Sequence, residues 1–248
     1  MSRASAPSRQ FLLLHGQGAT GAVWEPVVRG LSAMGLAAEA PDLAGHGTAE
    51  RLPEYTLEGL ARVAARHAAS GPVIAVGHSL GGYVALALAS GAYGVQVEAV
   101  LSLGAKINFS AEERARLADL ASRPARRFAT HEEALERYRK VSGLEPEVAA
   151  DEAVLARGVR SLDQGFELAA DPRTLALIVP SFATLRATAR CPVMLARGEC
   201  DPLVSRAEQL VLDPHSIDLA DLGHNAHVEA PDMVLALIAA LTDQVTGA

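Results

Sequence analysis

Residues 73–90 run Val73-Ile74-Ala75-Val76-Gly77-His78-Ser79-Leu80-Gly81-Gly82-Tyr83-Val84-Ala85-Leu86-Ala87-Leu88-Ala89-Ser90. The apolar run Val73–Val76 suits a buried strand, and Leu80–Ser90 suits a helix. Between them stands Gly77-His78-Ser79-Leu80-Gly81, a GxSxG sequence that chance supplies in about one chain in ten of this composition. Its placement is more informative than its occurrence. A serine at a tight strand-to-helix turn is held in strained backbone geometry with its hydroxyl projecting outward. Glycines two before and two after it remove the side chains that would collide there.

The same alternation extends in both directions. Candidate strands are Phe11–Leu14, Leu36–Ala40, Val97–Leu103, Pro192–Ala196 and Ser216–Leu219. Helices suit Val23–Met34, Leu57–Ala69, Ser205–Leu212 and Pro231–Leu241, with Pro231 as a first helical residue. Near-continuous apolar strands alternating with helices predict an α/β fold: a mostly parallel sheet covered on both faces. One interval is too long. Eighty-six residues separate Gly104 from Cys191, where a crossover needs about a dozen. That segment is charged, with Ala111–Ser122, His131–Ser142 and Glu147–Leu162 expected as helices and its charges expected on a solvated face. It also holds four of the five phenylalanines, Phe109, Phe128, Phe166 and Phe182. An inserted helical cap at 106–170, over a core of 1–105 and 171–248, is the expected division.

Composition removes several function classes. Half of the 248 residues are apolar and 21% are charged, which is ordinary for a globular protein. A net charge of −7 leaves no basic excess for nucleic acid. The uncharged interval from Arg66 to Glu98 is broken by glycines and Pro72, so no membrane insertion is expected. Met1–Arg9 lacks an apolar signal core, and a cytoplasmic location is the expectation. If Val193–Ala196 is a strand, Cys191 and Cys200 lie roughly 30 Å apart, so free thiols are expected. They form no zinc pattern, and no metal or other cofactor is expected.

Two further motifs bear on chemistry. Gly16-Gln17-Gly18-Ala19-Thr20-Gly21 is a GxGxxG after a strand, with Asp42 placed like a ribose-binding acid. A dinucleotide-binding helix would begin inside that motif and place Pro26 well within it, which the backbone resists. The alternative is a ligand-facing loop with its helix starting later. A serine nucleophile needs a base and an orienting acid. Asp201 and His224 each follow a predicted strand, so both stand at the carboxyl end of the sheet with Ser79. Glu199 and Asp221 are rival acids, and His227 a rival base.

Taken together, His15-Gly16-Gln17-Gly18, Asp42–Gly47, Gly77–Gly82, Gly198–Asp201-Pro202 and Gly223–Pro231 resemble the α/β-hydrolase superfamily, in its branch of small serine esterases and lipase-like hydrolases. The resemblance spans the chain apart from the insertion. It implies Ser79 as nucleophile, Asp201 as acid and His224 as base, the first His of Gly-His-x-x-His-x-Glu-x-Pro, with His227 bracing the loop. It further implies an oxyanion hole from the backbone N–H groups of Gln17 and Leu80, where losing one donor typically costs roughly 3–4 kcal/mol of barrier. The family's sheet usually opens with two more strands, for which the residues before Gln10 are too few. About six strands are expected, ordered 4-3-5-6-7-8 in the family's strand numbering.

The expected activity is hydrolysis of carboxylic esters on small to medium, largely apolar substrates. Lactone, thioester or carbon–carbon hydrolysis would use the same residues, and a catalytically silent receptor would use the same scaffold. Trp24, Phe109, Phe128, Phe166 and Phe182 are the expected substrate contacts. His15, His46 and His78 are expected to be structural, and His67, His131 and His215 to lie at the surface. Lys106 follows a strand that faces the same cleft, where it either touches substrate or is solvated.

Overall fold

The computed structural model describes residues 9–144 and 150–247. Nine strands form in chain order: β1 (Gln10–Leu14), β2 (Ala37–Glu39), β3 (Val73–His78), β4 (Val97–Leu103), β5 (Arg127–Phe128), β6 (Val159–Ser161), β7 (Phe166–Leu168), β8 (Val193–Gly198) and β9 (Ile217–Leu219). The helices before β8 are α1 (Glu25–Ala33), α2 (Leu57–Ala65), α3 (Leu80–Ala89), α4 (Ala111–Ser122), α5 (His131–Ser142), α6 (Glu152–Ala156) and α7 (Phe182–Thr188). Those after it are α8 (Arg206–Leu212), α9 (Ala226–Glu229) and α10 (Pro231–Thr246). Among the described residues, no helix is long and apolar enough to cross a membrane.

Six strands pair in parallel in the order β2-β1-β3-β4-β8-β9, the order expected from sequence. Because side chains alternate across a strand, each strand feeds two separate cores. Leu12, Leu14, Val73 and Ala75 enter the core beneath α2, α3 and α7. Phe11, Leu13, Ile74 and Val76 enter the other, beneath α1 and α10. All ten residues of α3 are buried, so this helix has no solvent face, and its uniformly apolar sequence follows from that. Pro231 opens α10 as expected. The helix after the glycine loop begins at Glu25, behind a 3₁₀ turn at Gly21–Trp24, so Pro26 falls in its first turn where the missing N–H is harmless.

The segment between β4 and β8 differs from its expected all-helical character. α4 and α5 match, but Glu147–Leu162 is not one helix. Residues 145–149 lie outside the described residues, and the remainder holds only the short α6 before turning into β6. β6 and β7 form an antiparallel hairpin closed by the Leu162 N–H to Gly165 carbonyl bond, and β5 joins it as a third strand. Gly158 sits against Tyr138, which is buried, and a Cβ at 158 would overlap its ring. Gly158→Ala is therefore expected to destabilise the protein by about 1–3 kcal/mol through overpacking. Urea unfolding of the variant measures this, and an unchanged midpoint would contradict the packing described.

Candidate active site

β3 runs straight into α3, and the single residue between them is Ser79. Its backbone lies at φ 50° and ψ −114°, one of two non-glycine residues with positive φ among those described. Such a conformation costs of order 1–3 kcal/mol and persists only when its surroundings enforce it. The Ser79 N–H bonds the Leu103 carbonyl at 2.9 Å, which ties the turn to β4. A Cβ on Gly77 would overlap the Gly81 carbonyl, and one on Gly81 would overlap the Leu14 carbonyl. Both glycines are thus required by backbone contact, as the spacing predicted.

Asp201 follows β8 and is buried, and its Oδ2 lies 2.7 Å from Nδ1 of His224, which follows β9. The other Asp201 oxygen accepts the Leu203 N–H at 2.8 Å. Nδ1 of His224 being so engaged, Nε2 is the ring nitrogen left for a donor in the cleft. Ser79 and His224 line one cleft of about 890 Å³, together with Gln17 and Leu80. The Leu80 N–H opens α3 and has no acceptor within the helix. The rival acids Glu199 and Asp221 are both exposed, and the Glu199 side chain accepts the Asp221 N–H at 3.4 Å.

Buried histidines brace the loops around Ser79. His15 Nδ1 lies 2.8 Å from the Gly16 carbonyl, and its Nε2 accepts the Leu43 N–H at 2.9 Å. His46 Nε2 accepts the Gly18 N–H at 3.2 Å, while its Nδ1 faces the Ala44 carbonyl. Each ring donates with one nitrogen and accepts with the other, so both are neutral. They staple the Gly16–Gly18 loop to the Leu43–Gly47 loop. Asp42 completes the staple, accepting from the N–H groups of Gly21 and Thr48 at 2.8 Å each. Burial alone would raise its pKa, but these N–H donors, with His15 nearby, outweigh burial and hold it below the usual aspartate value. Its contacts are those of a loop anchor.

The remaining rings stack in a row. His227 lies 4.4 Å from Trp24 and 4.3 Å from His78, and His78 lies 4.6 Å from His224, measured between ring centres. His78 Nε2 also donates to the His224 carbonyl at 2.9 Å, which fixes the loop carrying His224. Burial, followed by the charge of neighbouring histidines, lowers His78 strongly and His227 to about 3. Burial holds His46 at about 3 as well, and lowers His15.

The expected substrate contacts need correction. Only Phe109 of the five aromatic residues lies on the cleft. Trp24 is wholly buried in the α1–α10 core against His227. Phe182 packs edge-on against Tyr83, Phe166 against His131, and Phe128 is buried in β5. The apolar wall is instead built by Leu117, Ala118 and Leu120 of α4 and by Leu175, Leu177 and Val179. Other contributors escaped the sequence reading. Arg197, only 6% exposed, donates to the carbonyls of Glu199, Asp201 and Val204 and so sets the Asp201 loop. A lone arginine ending the apolar run of β8 was the available signal. Asn225 donates to the Gly143 carbonyl at 2.9 Å, joining the His224 loop to the end of α5. Thr174 accepts from the Gln17 side chain at 2.7 Å.

Cys191 and Cys200 are free thiols, and burial pushes Cys191 up to about 11. Among the described residues, no group of three His, Cys, Asp or Glu side chains could hold a metal ion.

Residues 11–237 match the model of a family described as the alpha/beta hydrolase family. Lipase LipV of Mycobacterium tuberculosis (strain ATCC 25618 / H37Rv) is 38% identical over 91 residues, which are 35% of this chain and 33% of the lipase. The match thus spans about a third of that curated relative. The solved structure of E-2-(acetamidomethylene)succinate hydrolase superposes with a TM-score of 0.77 at 24% identity, covering 96% of this chain and 92% of its own. A novel esterase from Mycobacterium tuberculosis gives 0.73 at 24% identity, covering 97% and 85%.

The four buried histidines give the pH dependence of stability a definite sign. Each has a folded pKa below its ordinary value of 6.5, so the unfolded chain binds more protons as pH falls below that value. Stability is expected to be full above pH 6.5 and to decline on acidification toward about 3, where His46 and His227 titrate. Each histidine contributes a slope of up to about 1.4 kcal/mol per pH unit. Urea unfolding at pH 7, 6 and 5 measures the slope. A flat profile would contradict the neutral state of these histidines.

Proposed function

Since the chain belongs to the alpha/beta hydrolase family, matching it over residues 11–237, we propose that it is a serine hydrolase of carboxylic esters with Ser79 as nucleophile, His224 as base and Asp201 as orienting acid. The observation that carries the reading is the left-handed backbone of Ser79 at the β3–α3 turn, in the same cleft as an imidazole whose Nδ1 lies 2.7 Å from a buried carboxylate.

The chemistry follows from these atoms. Ser79 Oγ attacks the ester carbonyl as its proton passes to Nε2 of His224. Asp201 holds the imidazole in the tautomer with Nδ1–H and stabilises the imidazolium that forms. The tetrahedral oxyanion takes hydrogen bonds from the N–H groups of Gln17 and Leu80, which are positioned in advance by the histidine-stapled loop and by the start of α3. His224 then gives its proton to the departing alcohol. Water repeats the sequence on the acyl-enzyme, with His224 again as base, and releases the acid and free Ser79. In this reading 106–170 is the cap over a core of 1–105 and 171–248. Its α4 and the stretch from Thr174 to Val179 together supply much of the apolar wall.

The aliphatic lining favours p-nitrophenyl esters of medium-chain acids as test substrates. Ser79→Ala is expected to lower kcat by about three orders of magnitude or more, and His224→Ala comparably. His227→Ala is expected to lose far less activity while reducing the melting temperature, since that ring is buried away from the cleft. Because the base must be neutral, kcat/KM is expected to fall on acidification. Equal losses for the two histidine variants, or full activity in Ser79→Ala, would contradict the assignment.

A further inference from the structure

α4 is a helix with an unusual surface. Of its residues only Ala121 is buried, and the face toward the Ser79 cleft carries both apolar and charged groups. The charges on the lining are three cations, Lys106, Arg114 and Arg116, and one carboxylate, Glu113. Glu113 is fully committed. One oxygen takes the Ser110 N–H at 2.9 Å in the capping box that starts α4, and the other pairs with the Lys106 ammonium. Lys106 is thereby neutralised.

Arg114 and Arg116 are different. Among the described residues neither has a carboxylate within ion-pair distance. The Arg114 guanidinium stands 5.6 Å from the centre of the Phe109 ring, and the Lys106 ammonium stands 5.4 Å from it. An aromatic face steadies a guanidinium without using its N–H donors. Glu208 accepts from Asn108 at 2.9 Å, and Asp119 on α4 is paired with Arg123. The cleft therefore has a net positive lining in a chain whose net charge is −7. A surplus of cations beside a mostly aliphatic wall is out of place for a purely apolar substrate.

We infer that Arg114, held against Phe109, forms an anion subsite in the cleft, and that the substrate is an ester bearing a carboxylate in addition to its reacting carbonyl. The aliphatic wall from α4 and Leu175–Val179 holds the hydrocarbon between the two ends. A planar guanidinium with free N–H groups takes a carboxylate through two parallel hydrogen bonds, which an ammonium cannot do. This rests on the serine-hydrolase reading for the reacting end and adds a second recognition point.

Matched esters test it. Mono-p-nitrophenyl succinate, adipate and suberate are compared with p-nitrophenyl butyrate, hexanoate and octanoate, which places the anion on the acyl side. The hexanoyl ester of 4-hydroxybenzoate against that of 4-hydroxyacetophenone places it on the alcohol side. The expected result is a higher kcat/KM for the acid in one arm, at one chain length. That ratio should fall about tenfold in Arg114→Gln, drop below one in Arg114→Glu, and shrink with added salt as exposed charges are screened. Arg123→Gln, just past the end of the same helix but paired with Asp119 and off the cleft, should leave the ratio unchanged.

If neutral esters are hydrolysed and the acids are not preferred in either arm, the anion subsite is overturned and the serine-hydrolase reading stands. If no ester is hydrolysed, that reading falls, and the subsite is judged by calorimetry on Ser79→Ala. Monomethyl suberate binding more tightly than methyl octanoate, with the difference lost in Arg114→Gln, supports it. Equal binding overturns it.

Discussion

The backbone of Ser79 is the constraint on which the rest of the cleft depends. A residue at φ 50° is stable only where the chain on either side is immovable. β3 is immovable because it is buried along its whole length between β1 and β4, and α3 because every one of its residues is buried. Gly77 and Gly81 let these two elements approach until backbone meets backbone. The two cores on either side of the sheet thus maintain the strain at one turn, and the serine hydroxyl is presented at the carboxyl end of the sheet.

Around that turn four buried imidazoles are held neutral. His15 and His46 bind main-chain groups as neutral rings, and His78 and His227 stack between Trp24 and His224. The ring of His224 alone among the row also meets a carboxylate, at Asp201. The loop carrying that carboxylate is set in turn by Arg197. In the proposed mechanism one imidazole carries the proton while four others remain neutral supports. The same arrangement links the acid sensitivity of the fold to the integrity of the loop near Gln17.

The parts legible from sequence were those with a repeating physical signature. Strands buried on both faces read as continuous apolar runs, and the strand order followed from the resemblance to the α/β-hydrolase superfamily. The positions of Asp201 and His224 at strand ends were equally legible, because loops at the carboxyl ends of parallel strands converge. The insertion was less so. Glu147–Leu162 has helical composition, yet α6 ends at Ala156 and Gly158 packs on Tyr138 before β6, a contact invisible without the tertiary structure. Aromatic residues announce burial without saying against what, so Phe128, Phe166 and Phe182 were expected on the cleft and proved to pack elsewhere. Conversely, the charges of α4 read as a solvated face, and some of them line the cleft.

The central claim is that Ser79, His224, Asp201 and the amides of Gln17 and Leu80 act on one carbonyl. A crystal structure of the protein after reaction with diethyl p-nitrophenyl phosphate tests it directly, because the phosphorylated serine mimics the tetrahedral intermediate. The account predicts phosphorus bonded to Ser79 Oγ, with the phosphoryl oxygen about 2.7–3.1 Å from both amide nitrogens. A modified residue other than Ser79, or a phosphoryl oxygen turned away from Gln17 and Leu80, would contradict it.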